Sequence, residues 1–473
     1  MPYYTKLGKL PQKRHVQFRR PDGALYSEEL FGTEGFVGPT STMYHIHPPT
    51  QVSGWKTLYG TKPEYVETDV MRMRHIKTQN LKPKGDPITG QVIVLGNADV
   101  EMSLCNPAEQ MGYHYKNGQG DELFFIHHGS GTAYTMFGTL EFGPKDYLLI
   151  PKGTIYKLVF NRLLKSSTSD HPEVPKLLAE LEKLSNKGEL SSSEAKRIRD
   201  KLRELGHEGG HEAAVVDPEM PFGKFVMFET CNASHYGPPP RYVSKTTSQF
   251  LEHAPYCERD LRIPIEDADH PLAYDETGEY EVRIKARDCV HSYVYPYHPL
   301  DVVGWDGCYY PYCFNIDDFA PIVGKLHMPP PIHQTFEAHN FVICSFCPRM
   351  LDFHPEAIPV PYNHSNIDSD EVLYYVEGNY KARRGIESES ISLHPQGIPH
   401  GPHPGTVEAS LGKTHTDELA VMCDTFRPLF PTKAALELDD PQYPESWRAD
   451  HHAPGEVRAA GSNDNGATVN TWD

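Results

Sequence analysis

The run PYNHSNIDSDEVLYYVEGNY, Pro361–Tyr380, followed by SISLHPQGIPH, Ser390–His400, decides how this chain folds. EVLYYVEG is rich in β-branched and aromatic residues and is closed by glycine, the composition of a buried strand ending in a turn. Both blocks have an upstream echo: GDELFFIHHGSG, Gly120–Gly131, then YLLIPKGTIY, Tyr147–Tyr156. Asp121-Glu122 aligns with Asp370-Glu371, and Gly129 and Gly378 each follow their glutamate by seven residues. Pro151-x-Gly153-x-x-Tyr156 then aligns with Pro395-x-Gly397-x-x-His400, with no gap inside either block. An internal echo of this kind means two related β units in one chain.

Outward from these blocks the pattern continues. QVIVLG, KFVMFE and FVICSF are short apolar runs between Gly, Pro, Asn and Asp, which predicts an all-β sandwich or barrel. At 473 residues the chain exceeds what one core usually organises. We expect an N-terminal β domain over 1–290 and a C-terminal one over 291–435. One segment breaks the strand pattern. PKLLAELEKLSNKGELSSSEAKRIRDKLREL, from about Pro175 to Leu205, has apolar residues at three- and four-residue spacing, an Asn186–Gly188 break and a capping signal before its second half. It predicts a helical hairpin inserted around 165–210, a packing appendage. The last stretch, 451–473, is rich in Gly, Asn and Asp and is expected to be a disordered tail.

The charge balance excludes some partners. With 45 Lys+Arg against 64 Asp+Glu the formal charge is −19, which disfavours nucleic acid and anionic membrane surfaces. No apolar run is long enough for a signal peptide or a membrane span, so a cytoplasmic location is expected. The nine cysteines form no paired C-x-x-C set beyond Cys344 and Cys347, and read as reduced, mostly buried thiols.

The two copies differ where chemistry would sit. The second copy has His364, Glu371 and His400; the first has Tyr115 where His364 stands and Tyr156 where His400 stands, while Glu122 is kept. Two imidazoles and a carboxylate bind a metal from one side and leave the opposite face open, which suits Fe(II) enzymes that take substrate and O2 together. His364 and Glu371, seven apart, would lie on opposite faces of a straight strand, so Ser365–Asp370 must bend.

These blocks resemble the paired motifs of the cupin superfamily, H-x-H-x(3,4)-E-x(6)-G and P-x-G-x-x-H, with Asn366 at the usual second-histidine position. The resemblance implies a bicupin, a double-stranded β-helix repeated twice, with metal in the C-terminal half only. The C-terminal third is further similar to the homogentisate 1,2-dioxygenase family in VVGWDG (Val302–Gly307), YPY (Tyr310–Tyr312), FNIDDF (Phe314–Phe319), PYNHSNIDSDEVLYYVEGNY and SLHPQGIPHGP (Ser392–Pro402). It implies O2-dependent ring cleavage of homogentisate to maleylacetoacetate. By motif position His364, Glu371 and His400 would hold Fe(II), Tyr380 and His400 would contact substrate, and His394 would belong to the catalytic shell. The family also implies a homo-oligomer, a trimer or a dimer of trimers.

Two departures stand out. Where better-known members have Trp-His-Gly, this chain has Trp305-Asp306-Gly307. Asp306 is then either a replacement catalytic base or a loop anchor, with His298, His333 or a water in the base's place. The spacing is H-x6-E rather than H-x5-E, which leaves gentisate or another dihydroxyaromatic acid as an alternative substrate, and a non-catalytic metal-binding bicupin as an alternative class.

Overall fold

Alternate residues of ELFFIHH, Glu122–His128, point to opposite faces of one sheet, and both faces are covered. Leu123 and Phe125 enter one core with Tyr147, Leu149, Val226 and Phe228, whereas Phe124 and Ile126 enter another with Leu148, Phe225, Tyr115 and Tyr156. That two-sided burial explains the nearly unbroken apolar run. The computed structural model describes residues 3–161 apart from 68, scattered helical positions between 176 and 201, and residues 221–448 apart from 233, 268–269, 325–329, 361 and 379–384. The expected helical hairpin falls largely outside these residues, although Lys176, Leu177, Glu180, Leu184, Arg197, Ile198 and Lys201 are helical. The tail 451–473 lies wholly outside them.

The fold is mostly β, as expected. An eight-stranded sheet runs in the order Leu261–Arg262, Tyr312–Asn315, Asp146–Ile150, Glu122–His128, Lys224–Thr230, Val100–Cys105, Val92–Gly96 and Phe430–Pro431. A seven-stranded sheet containing Ile155–Phe160 and His114–Asn117 completes the N-terminal half. Between these sheets lies the filled core of Phe124, Ile126, Tyr115 and Tyr156. A four-stranded sheet, Thr5–Gly8, Val302–Gly307, Thr40–His45 and Ser27–Gly32, flanks this half.

The C-terminal half is built on a six-stranded sheet: Gln334–Ala338, Phe341–Phe346, Leu419–Thr425, Asp370–Glu377, Ile391–His394 and Arg74–Ile76. Val372, Tyr374, Ile391, Leu393, Val421 and Cys423 share one core with Leu123, Phe125 and Tyr147 of the other half. Burial of each such large side chain stabilises by roughly 1.5–3 kcal/mol, so the halves are joined by core, not by a linker. Strands also cross the division expected at 290/291. Arg74–Ile76 pairs with Ile391–Leu393, and Tyr312–Asn315 pairs with Asp146–Leu149. All nine cysteines are free, with Cys344 and Cys347 buried. Among the described residues no helix is long and apolar enough to cross a membrane.

Candidate metal centre

Glu371 opens the strand Asp370–Glu377. Because Val372, Tyr374 and Val376 turn into the shared core, period-two alternation turns Glu371, Leu373 and Tyr375 toward the interior of the C-terminal half. Asp370, facing the other way, accepts hydrogen bonds from the backbone N–H of Gln396 at 2.8 Å and of Leu429 at 2.7 Å. It thereby ties the P-x-G turn to the strand start. Cross-strand pairing sets Glu371 beside His394 on one side and Asp424 on the other.

His364 reaches the same point by the bend expected from its spacing. Residues 365–369 leave strand geometry, and His364 pairs with His400 through two backbone hydrogen bonds of 2.9 Å. Gly397, at φ +74°, makes the turn before His400, and its N–H donates to the Asn366 carbonyl at 2.7 Å. Asn366, at the usual second-histidine position, therefore contributes backbone.

The imidazoles are oriented by their own chain. Nδ1–H of His364 donates to the Tyr362 carbonyl at 3.2 Å, and Nδ1–H of His400 to the Ile398 carbonyl at 3.0 Å. That turns each Nε2 toward Glu371 Oε2, at 3.4 Å (His364) and 3.6 Å (His400), where it can donate a proton to the carboxylate or, deprotonated, give its lone pair to a cation. The ligand atoms of the three residues lie within 4.8 Å of one another. His400 Nε2 is buried and has no hydrogen-bond partner. A buried lone pair without a donor is costly, and a bound cation would relieve it, so the donor set fits a divalent metal.

His394, fully buried, donates from Nδ1 to Glu371 Oε1 at 3.1 Å, accepts at Nε2 from the Tyr443 hydroxyl at 3.3 Å, and stacks on His400 at 4.9 Å. That contact engages the carboxylate oxygen other than the one nearest His364 and His400. Burial would raise the Glu371 carboxyl, but His364, His394 and His400 outweigh it and hold it well below the usual carboxylate range. Across the strand pair, burial and the neighbouring Glu371 push the Asp424 carboxyl up, and its Oδ1 has no hydrogen-bond partner.

The structure thus brings together His364, Glu371, His400 and His394. Asp306 lies elsewhere, on the four-stranded sheet, accepting from the Tyr4 hydroxyl at 2.8 Å and from Arg14 Nη2 at 2.6 Å. Tyr380 lies outside the described residues. His298 stacks on Tyr274 at 4.3 Å beside His114. His333, buried, packs on Phe346 at 4.3 Å, and Phe346 lines the interior shared by Leu373 and Tyr375. Asp424 and Tyr443 were not anticipated. Only Asp424 carried a signal, a carboxylate at an inward register of the apolar run LAVMCDT.

Comparison with known proteins places the chain in a family. The family profile described as homogentisate 1,2-dioxygenase C-terminal matches residues 316–453, which include all three candidate ligands. A homogentisate 1,2-dioxygenase of Sinorhizobium fredii is 31% identical over 93% of this chain and 89% of its own length. A Saccharolobus solfataricus protein bearing the provisional name of dioxygenase is 34% identical over 94% of this chain and 99% of its own. Among solved structures, a cupin 2 conserved barrel domain protein of Leptotrichia buccalis aligns with 77% of this chain and 100% of its own at 8% identity and a TM-score of 0.29, too loose a superposition to carry weight. Near-complete coverage by relatives above 30% identity is what decides the matter: this chain belongs to the homogentisate 1,2-dioxygenase family of dioxygenases.

Proposed function

We propose that the chain is an Fe(II)-dependent dioxygenase that cleaves the ring of homogentisate, placing both atoms of O2 in maleylacetoacetate. The observation that carries this reading is the buried, partnerless Nε2 of His400 converging with His364 and Glu371. When bound, Fe(II) would supply a Lewis-acid centre with an open face where the substrate hydroxyl and O2 meet. The rest falls to the chain. His364 and His400 offer neutral nitrogens, Glu371 offers one negative charge, and His394 holds that carboxylate in one orientation. Leu373, Tyr375 and Phe346 form an apolar wall against which an aromatic ring can lie.

Ring opening also needs an acceptor for the substrate hydroxyl proton. His333 is the candidate to test: it packs on Phe346 of that wall and its Nδ1 has no hydrogen-bond partner, but burial pulls its imidazole down to about 3, so it is a weak base that could take the proton only from a hydroxyl acidified by the metal. Asp306, engaged by Arg14 and Tyr4, serves the flanking sheet. A dioxygenase for another dihydroxyaromatic acid, gentisate for example, is the second reading, favoured by the Asp306 substitution in the Trp-x-Gly run. The trimer-based assembly belongs to the same proposal and is checked by light scattering.

The test is anaerobic loading with Fe(II), then oxygen uptake with homogentisate and gentisate side by side, following the ring-opened product in the ultraviolet. Uptake with homogentisate supports the first reading; uptake with gentisate alone supports the second; a loaded protein inert to both refutes catalysis on this class.

A further inference from the structure

A second group of metal-ligating side chains lies outside the centre just described, at the junction of the halves. Strand Glu122–His128 pairs regularly with Lys224–Thr230 until its end, where Lys224 faces His128 but Phe225 faces Ile126, leaving His127 unpaired. Such a bulge resets the alternation of side chains. In a straight strand His127 and His128 would point to opposite faces; here both reach one carboxylate, that of Glu389. His128 Nε2 lies 2.8 Å and His127 Nε2 3.6 Å from Glu389 Oε1, and all three ligand atoms fall within 4.8 Å of one another. Donors around a tetrahedral zinc ion, at about 2.0–2.1 Å from it, sit about 3.3 Å apart, so each imidazole nitrogen lies within about half an ångström of that separation from Glu389 Oε1.

The surroundings hold this arrangement in place. Lys224 Nζ binds the other oxygen, Oε2, at 2.5 Å, leaving Oε1 to the imidazoles. The Glu389 backbone takes φ +66°, unusual for a non-glycine residue, and is pinned by its N–H to the Tyr375 carbonyl at 2.7 Å and by the Thr78 hydroxyl on its own carbonyl. His127 Nδ1 is 3.0 Å from the Tyr374 hydroxyl. With Nδ1–H donating to that oxygen, Nε2 presents its lone pair, the usual second-shell device of a metal-bound histidine. Burial and neighbouring His128 pull the His127 imidazole down to about 3, which keeps it in the neutral, ligand-competent form.

We propose that His127, His128 and Glu389 form a second divalent-cation site, zinc-like in its ligand set, that staples the bulged N-terminal strand to the segment joining the Glu371 and His394 strands. Two imidazoles and one carboxylate oxygen make a borderline-soft donor set, and the exposed flank of His128 leaves a position for water. Glu389 comes from the C-terminal half and the histidines from the N-terminal half. The cation would lock the halves in register without entering the reaction.

The test is a zinc titration of the full chain carrying His364→Ala and Glu371→Gln, which leaves His400 alone at the first centre, in competition with a chromophoric chelator. One bound equivalent is expected, weakened by His128→Ala beyond the roughly tenfold to hundredfold cost of a second-shell loss. Cobalt(II) in the same chain should give visible ligand-field bands that His128→Ala abolishes. No bound equivalent, or one that survives His128→Ala, overturns the site and leaves a hydrogen-bonded junction only. The His128 side chain is 56% exposed, so its replacement does not threaten the core. Should the double variant fail to fold, metal analysis of the native chain loaded with iron and zinc makes the same test, two equivalents against one in His128→Ala.

Discussion

In the N-terminal half the Tyr156 hydroxyl donates to Glu122 Oε2 at 2.8 Å; at the same position of the C-terminal half His400 Nε2 stands 3.6 Å from Glu371 Oε2 with no hydrogen-bond partner. The skeletons around these two glutamates are alike. Asp121 accepts from the Lys152 N–H and Asp370 from the Gln396 N–H, each at 2.8 Å. Gly153 and Gly397 donate to the Asn117 and Asn366 carbonyls, each at 2.7 Å. Tyr115 pairs with Tyr156 as His364 pairs with His400. Each glutamate even faces a second carboxylate across the strand, Glu229 in one half and Asp424 in the other. What differs is the source of compensation. Lys285 Nζ lies 2.7 Å from both oxygens of Glu229, while burial and Glu229 push the Glu122 carboxyl up to about 8. The N-terminal half neutralises itself, and the C-terminal half leaves negative charge and imidazole lone pairs where a cation belongs.

The largest expected effect cuts that comparison in two. His400→Ala should abolish iron binding and oxygen uptake, whereas Tyr156→Phe should leave both intact. The latter should lower unfolding free energy by roughly 1–3 kcal/mol, the cost of a buried acceptor losing its donor. Iron content and denaturant melts read both; iron retained in His400→Ala would remove that residue from the ligand set. Next in size is the proton acceptor. If His333 takes the proton, His333→Gln should lower kcat by up to roughly a hundredfold, the lower end for a general base because burial makes this imidazole a weak one, with iron content unchanged. Asp306→Asn should change kcat little and reduce stability through Arg14 and Tyr4. The reverse pattern would return the acid–base role to the flanking sheet.

The skeleton was legible because its parts are local and repeat. Asp, Glu, Gly and Pro recur at matched positions, since the turn tie, the positive-φ glycine (Gly153 at +88°, Gly397 at +74°) and the strand start need those residue types. The two candidate histidine ligands were legible as the places where the copies disagree, Tyr115 against His364 and Tyr156 against His400, while the glutamate is common to both. Residues supplied by distant segments were not. Asp424 arrives by strand pairing, Tyr443 from a short 3-10 turn, and the edge strand Arg74–Ile76 is three residues long, with no alternation to reveal it. Nor did the Trp305-Asp306-Gly307 run show that Arg14 and Tyr4, far upstream, hold its carboxylate. Seven-residue spacing required a bend before Glu371; it did not reveal that the bulge at His127 gathers two histidines.

The N-terminal half also rests on ion pairs that titrate. His45 lies between Asp301 at 2.8 Å and Glu29 at 2.9 Å. Burial alone would lower its imidazole, but the two carboxylates prevail and raise it from 6.5 to about 9. A folded-state value above the unfolded one means stability fully present below pH 6.5 and lost as pH rises through about 9. The interval corresponds to roughly 3 kcal/mol at about 1.4 kcal/mol per pH unit. The stability gap between the native chain and His45→Gln should therefore close between about pH 6.5 and 9.5 in denaturant melts, with iron content constant. A gap independent of pH would mean that His45 acts by packing.

The smallest effect is the most discriminating. Asp424 faces Glu371 as Glu229 faces Glu122, yet among the described residues the structure shows no lysine bonded to it, and its Oδ1 lacks a hydrogen-bond partner. If its role is to supply negative potential toward a cation, Asp424→Asn keeps the shape and removes the capacity to carry that charge. Iron affinity should then fall about tenfold, the lower range for changes just outside the ligand shell, while the apo chain becomes more stable because two buried carboxylates no longer repel. If Asp424 instead only fills space, the same substitution leaves iron affinity unchanged. Opposite signs in the two readouts, weaker iron and a firmer apo fold, are what separate a half built to receive a cation from one that has sealed itself without it.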